Sequence, residues 1–165
     1  GGKCFPVKTF FLEEAGLAWP KLRDKTDQVR VAVDSLREAR LADGAVDLAV
    51  ALVKEACPVG DLAVVFLPGL GEIQEALRAF RASAGDLADL VVLHSHVSRE
   101  EQEAVFQAIP PGKIRVVLAT NVAESSVTLP RLGLVVDACL QRSLKYEPGK
   151  VAQLVLRWSS RAAMD

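Results

Sequence analysis

The sequence lacks three features that would each have assigned it to a class of protein. Its three cysteines lie far apart and form no Cys-x-x-Cys pair, so no zinc-binding pattern is present. No apolar run approaches the about 20 residues that a membrane-spanning helix needs. The net charge is −1, from 20 basic and 21 acidic residues, which argues against a protein that coats nucleic acid through excess positive charge. A local basic channel remains compatible with this balance.

The cysteines and the first residues favour an intracellular location, cytoplasmic or nuclear, away from membranes. An odd number of widely spaced cysteines, Cys4, Cys57 and Cys139, is typical of reduced thiols. The opening Gly1-Gly2-Lys3 does not resemble a signal peptide and looks like the start of a fragment.

The first third of the chain predicts a strand, a loop and two helices. Residues 4–12 alternate as a strand does, and the charged segment 20–25 predicts a flexible loop. Apolar residues then recur at helical spacing over residues 29–42 and again over residues 45–56.

Strands and helices alternate over the rest of the chain. Residues 71–82 predict one helix, and the capping box of Ser98 and Glu101 predicts another that continues to about Ala108. Short apolar runs predict strands at 62–67, 89–93, 114–119, 132–137 and 151–158. This alternation predicts an α/β fold with a mostly parallel sheet and helices on both faces. In such sheets function lies in the loops at the carboxyl ends of the strands.

The loop after the first of these strands, Gly69-Leu70-Gly71, is a weak phosphate-binding signal, because a turn with two glycines is usually only a turn. No G-x-x-x-x-G-K-[ST] motif occurs in the sequence. We therefore do not expect this chain to hold ATP on its own.

The loop after strand 89–93 contains two histidines, His94 and His96, two residues apart. A zinc site would need a third ligand, which Glu100 or Glu101 could supply, and Ser95 beside a histidine could act as a nucleophile. No nucleophile-elbow pattern surrounds Ser95. An exposed turn or a contact with a backbone phosphate fits this segment better, and we expect no metal.

The loop after strand 114–119, residues 120–128, is rich in hydroxyl and amide side chains. It could be a polar loop that caps a helix. It could equally present hydroxyl and backbone N–H groups to phosphates. The spacing of these residues leaves both interpretations open.

Several segments resemble the motifs of DEAH-box RNA helicases, and they occur in the family's order along residues 4–165. The matches are Phe5-Pro6-Val7 to the entry strand, residues 65–73 to motif IV, Leu93-His94-Ser95 with Glu101-Gln102 and Val105-Phe106 to motif IVa, residues 119–128 to motif V, and Val135-Val136-Asp137 to motif Va. The chain is thus similar to the second RecA-like domain of such a helicase.

The resemblance implies a protein with two RecA-like domains. ATP would lie between them with Mg²⁺, bound mainly by a first domain that carries the phosphate loop, and single-stranded RNA would run across both. Residues 158–165 look like the stretch before motif VI, so residues 1–165 would form one domain cut before that motif. We expect the isolated chain to hydrolyse no ATP.

On the RNA side, the resemblance implies that Thr120 contacts an RNA phosphate, as the first threonine of motif V does. Its neighbour Asn121 would bind RNA as well. Ser95 and His96, which follow the strand of motif IVa, would touch the RNA backbone.

On the nucleotide side, the resemblance implies that Ser126 and Thr128 face the ATP and take part in catalysis by reporting its state. Phe106 would stack on the adenine base. The alternative for Phe106 is a core residue, since Val105 and Phe106 lie on a predicted helix that must pack.

Two departures from the family pattern leave other interpretations open. Pro130 stands where the family usually has an acidic residue that helps to hold the ribose, and Ala138-Cys139 replaces Ser-Gly. The parent protein could therefore be a noncatalytic module that binds RNA or a partner. A free-standing α/β domain that binds a small nucleotide is a further alternative. The segments 124–130 and 136–140 resemble the Tudor-domain-containing, spindle-E type of these helicases.

Overall fold

The structure is a computed structural model that describes residues 10–94, 98–120 and 129–138, together with the backbone of two strands at 140–145 and 153–158. Helices occupy the first part of the described chain. They are α1 (Leu12–Ala18), a 3₁₀ turn (Pro20–Leu22), α2 (Arg23–Asp34) and α3 (Ala45–Ala56).

The predicted end of the strand 4–12 and the predicted loop at 20–25 were wrong. Leu12 begins α1 and does not end a strand, while residues 4–9 of that predicted strand lie outside the described residues. The charged segment 20–25 is helical, because Pro20 suits the first position of a helical turn and α2 follows at once. The start of α2 was not predicted because only Thr26 and Val29 of this helix are buried. So few buried residues give little apolar periodicity in the sequence.

The predicted helix at 29–42 also ends earlier than expected. α2 stops at Asp34, and the hydroxyl of Ser35 donates a hydrogen bond to the carbonyl of Ala32 (2.8 Å). By contrast, α3 has the predicted bounds, and its buried residues include Val46 and Val53 of the predicted apolar face.

Alternating strands and helices form the rest of the fold, as predicted. They are β1 (Leu62–Phe66), α4 (Leu70–Ala84), β2 (Ala88–Leu93), α5 (Arg99–Glu103) with a 3₁₀ turn (Ala104–Phe106), β3 (Ile114–Ala119) and β4 (Leu132–Asp137). The four strands lie in the order β2-β3-β1-β4, and every pair is parallel. The predicted parallel α/β sheet is confirmed.

The last two described strands form a separate antiparallel pair, β5 (Leu140–Lys145) and β6 (Gln153–Trp158). The predicted strand at 151–158 is therefore present over residues 153–158, while residues 151–152 lie outside the described residues. It pairs with β5 and not with the parallel sheet, and β5 was not predicted. An apolar run shows that a strand is present without showing its partner. Antiparallel partners need only a short connection, which sequence periodicity does not reveal.

The two central strands of the parallel sheet, β1 and β3, are buried on both faces, and side chains alternate between these faces along each strand. On the first face, Ala63 and Val65 of β1 pack with α3 and α4. On the second face, Leu62 and Val64 pack with Val105, which follows α5. Burial on both sides explains why these strands are continuous apolar runs in the sequence.

Candidate functional site

The four parallel strands end at one edge of the sheet, and backbone hydrogen bonds join the first residues after three of them to a neighbouring strand. Thr120 N–H donates to the carbonyl of Leu93 at the end of β2 (3.2 Å), and Leu67 N–H donates to Ala119 at the end of β3 (2.8 Å). Ala138 N–H donates to the last residue of β1 (3.2 Å). The carboxyl ends of the strands therefore form one continuous edge, with the end of β3 and the first residue after it, Thr120, near the middle.

Two of the predicted motif segments begin at this edge. Thr120 is the first residue after β3 and is partly exposed there, and His94 occupies the corresponding position after β2. The other candidates on this side of the site, Ser95, His96 and Asn121, lie outside the described residues, as do Ser126 and Thr128.

The two-glycine turn after β1 leads directly into α4. Gly69 is the N-cap, in extended conformation and with no side-chain cap, and its carbonyl accepts from Ile73 N–H (3.1 Å). A Cβ on Gly71 would meet no atom within 4 Å. The turn thus places the start of a long helix at the edge of the sheet.

Glu101, a candidate third ligand for a metal, acts as a helix cap. Its carboxylate accepts a hydrogen bond from Ser98 N–H (2.9 Å), and Ser98 Oγ accepts from Glu101 N–H (3.2 Å), so the predicted capping box is present. These hydrogen bonds lower the pKa of Glu101, with a smaller effect from nearby His94. Among the residues that the structure describes, no group of three or more His, Cys, Asp or Glu could hold a metal ion.

Phe106 lies on the surface with 53% of its area exposed, so the alternative that it is a core residue is wrong. The predicted helix gives way after Glu103 to a 3₁₀ turn, which changes the phase of the side chains. Val105 takes the buried position in this turn, and its neighbour Phe106 is left outside.

A buried arginine holds the turn that carries Phe106. Arg115 of β3 is only 4% exposed, and its guanidinium donates hydrogen bonds to the carbonyls of Val105 (3.2 Å), Gln107 and Ala108 (3.2 Å). The same guanidinium forms an ion pair with a carboxylate on β2 (2.8 Å).

The carboxylate belongs to Asp89, which is directly opposite Arg115 in the parallel register of β2 and β3. This pair was not predicted from the sequence. A signal was present, because the apolar runs of β2 and β3 each contain one charged residue near the start, Asp89 and Arg115, and the two charges are opposite. A charge within a buried run requires a partner.

Pro130, the position of the family's acidic residue, lies in an exposed turn just before β4. Arg131 follows in a left-handed conformation (φ 57°) and pairs with Asp61 at the start of β1 (3.3 Å). Leu129, which precedes this turn, packs in the same cluster as Val105.

The predicted site therefore divides into two regions. Thr120 lies at the carboxyl edge of the sheet. The turns that carry Phe106 and Pro130 border the second face of the sheet. Arg115, near the amino end of β3, holds the Phe106 turn, and Asp61, at the amino end of β1, pairs with Arg131 in the Pro130 turn.

Comparison with known proteins identifies the family. A protein-family model described as "Helicase conserved C-terminal domain" matches residues 49–159. This chain belongs to that family. A putative DEAH-box ATP-dependent helicase of Mycosarcoma maydis, UM11114, is 39% identical over 108 residues, which are 64% of this chain and 7% of that protein. The ATP-dependent RNA helicase TDRD9 of Mus musculus is 41% identical over 103 residues, which are 62% of this chain and 7% of that protein.

A solved structure agrees with the sequence relatives. The E. coli DExH-box NTPase HrpB superposes with a TM-score of 0.65 at 30% identity, over 78% of this chain and 16% of that one. The chain is thus a RecA-like C-terminal domain of the DEAH-box helicase type. It spans only 7% of the length of each of these two curated relatives.

No helix within the described ranges combines the length and the apolar character needed to cross a membrane.

Proposed function

We propose that this chain is the second of two RecA-like domains of an ATP-dependent RNA helicase, in which it grips the RNA backbone and forms half of the ATP site. The observation that carries the proposal is the continuous carboxyl edge of a four-stranded parallel sheet, with Thr120 near its middle, in a chain of the helicase C-terminal family. The similar TDRD9 is named an ATP-dependent RNA helicase, which supports RNA as the substrate.

At the carboxyl edge, Thr120 would contact an RNA phosphate through its hydroxyl. Its backbone N–H is already occupied by the carbonyl of Leu93, so this hydrogen bond fixes the residue's position and leaves the side chain for RNA. Asn121, Ser95 and His96 follow strands that end at the same edge and would add backbone contacts. Contacts of this kind predict binding that is independent of RNA sequence and weakened by salt.

On the second face of the sheet, the exposed ring of Phe106 suits a base-stacking role. An aromatic ring that is half exposed and fixed at its backbone can stack on adenine without further ordering. Ser126 and Thr128 would face the phosphates and report their state. ATP and Mg²⁺ would be held mainly by a first domain, since this sequence has no phosphate-loop motif. Bound ATP would favour closure of the two domains.

Substitution of Thr120 tests the RNA-binding part of the proposal. In the full-length protein, Thr120→Val should reduce the stimulation of ATP hydrolysis by single-stranded RNA about tenfold, because one hydrogen bond to a charged group contributes about 1.5–3 kcal/mol. The matched control is Thr120→Ser, which keeps the hydroxyl and should keep most of the stimulation. Full stimulation of Thr120→Val by RNA would refute the assigned role.

A noncatalytic RNA- or partner-binding module is the second candidate, and Pro130 is the observation that favours it. Proline lacks the carboxylate that would hold the ribose, and here it lies in an exposed turn next to the Arg131–Asp61 pair. The two candidates differ in turnover. An ATPase rate of the full-length protein that does not rise above background with RNA would favour the noncatalytic module.

A further inference from the structure

We propose that Arg115 and Asp89 are positioning residues that hold the Phe106 turn in the geometry that stacks on the base of a bound nucleotide. The inference rests on the proposed function, because it takes Phe106 as the stacking residue. It adds two residues that lie on neighbouring strands and do not themselves touch the nucleotide.

The contacts of Arg115 are concentrated on one short segment. A guanidinium is costly to bury, and a protein retains it inside only when its donors are matched. Here its carbonyl partners all fall within residues 105–108, and its carboxylate partner, Asp89, is the directly opposite residue of the next strand. Arg115 therefore attaches the turn to β3 of the parallel sheet, and Asp89 holds Arg115 from β2.

Little else in the described structure holds this turn. The helix before it, α5, has no buried residue. Val105 and Ile109 pack on the second face of the sheet, whereas residues 106–108 between them are exposed. Loss of the guanidinium should therefore loosen residues 106–108 and leave the two main core clusters in place. A ring that samples many orientations binds a base less well, because the cost of ordering it must then be met on binding.

The test compares two ligands on the full-length protein with Mg²⁺, by calorimetric titration. One is a non-hydrolysable ATP analogue, and the other is ribose 5-triphosphate, which has no base. The unmodified protein should bind the ATP analogue about tenfold more tightly, given what base–aromatic stacking contributes. Phe106→Ala should bring this ratio of Kd values close to one. Arg115→Met should lower the ratio about threefold or more, and neither change should alter the Kd of ribose 5-triphosphate.

A double-mutant cycle separates positioning from a general structural role. If Arg115 acts through Phe106, Arg115→Met should have no further effect on the ratio in the Phe106→Ala background. Lys54→Met is the matched control, because Lys54 also donates to a backbone carbonyl of another element, Ser83 (3.1 Å), but joins α3 to α4 on the first face. It should leave the ratio unchanged.

The outcomes distinguish this inference from the function on which it rests. If Phe106→Ala lowers the ratio and Arg115→Met does not, or if Arg115→Met lowers it further in the Phe106→Ala background, only the positioning role is overturned. If Phe106→Ala itself leaves the ratio unchanged, the stacking role fails and the inference fails with it. Should Arg115→Met not fold, Asp89→Asn replaces it, since Asp89 is 31% exposed in its side chain. It should lower the ratio in the same direction by a smaller factor, and an unchanged ratio would overturn the inference.

Discussion

At the scale of single residues, the buried thiol of Cys57 links the stability of the domain to pH. Cys57 lies at the end of α3 and is buried. Burial, and to a smaller degree the charge of Asp61, raises the pKa of Cys57 from 9.0 to about 11. The folded state therefore keeps this proton at a pH where the unfolded chain has released it.

The sign of the effect follows from this proton. Because the pKa is raised on folding, Cys57 contributes stability that is fully present below pH 9 and is lost as the pH rises through about 11. The free energy of unfolding should therefore fall over this range by at most about 3 kcal/mol more in the unmodified chain than in Cys57→Ala. Urea unfolding at several pH values under reducing conditions measures the difference. Parallel curves for the two proteins would contradict the account.

The exposure and contacts of single side chains were the features of the candidate site that the sequence predicted least well. The position of Thr120 at the end of a buried strand follows from the apolar run before it. The exposure of Phe106 does not, because it depends on a change from α-helix to 3₁₀ turn within three residues. Asp89 and Arg115 could have been paired from their places in neighbouring apolar runs, but the segment that Arg115 holds could not.

At the scale of elements, the contact between α1 and α2 depends on a glycine. A Cβ on Gly16 would lie 2.6 Å from Thr26 Oγ1 and 3.3 Å from Arg23 Cα, so no side chain fits at this crossing. Thr26 is itself buried, and its hydroxyl donates to the carbonyl of Arg23 (2.8 Å). The two helices can pack this closely because residue 16 has no Cβ.

Two glycine-to-alanine substitutions should therefore change stability in opposite directions. Gly16→Ala should lower the free energy of unfolding by about 1–3 kcal/mol, because the clash outweighs the helix propensity gained. Gly71→Ala, in α4 with open space around its Cβ, should raise it by about 0.5–1 kcal/mol. Urea unfolding of both variants measures the pair. A stabilised Gly16→Ala would show that α1 does not approach α2 in this way.

The elements that sequence analysis predicted correctly share a physical reason. β1 and β3 are buried on both faces and therefore appear as unbroken apolar runs. α3 has a clear apolar face, whereas α2 buries only Thr26 and Val29 and was mistaken in part for a loop. Apolar periodicity therefore predicted the buried strands and α3 correctly. It did not predict the start of α2, because that helix packs through few residues.

At the scale of the whole molecule, the sheet separates the two halves of the candidate site. Its carboxyl edge carries Thr120, and the turns of Phe106 and Pro130 border its second face. In the proposed helicase, RNA and nucleotide would thus contact different parts of one sheet.

We propose that this chain supplies part of a helicase motor whose phosphate loop lies in another domain. The most direct measurement is ATP hydrolysis with and without single-stranded RNA, by the full-length protein and by residues 1–165 alone. We predict RNA-stimulated turnover by the full-length protein and none by residues 1–165, because this sequence contains no phosphate-loop motif. RNA-stimulated turnover by residues 1–165 alone, or none by the full-length protein, would contradict the account.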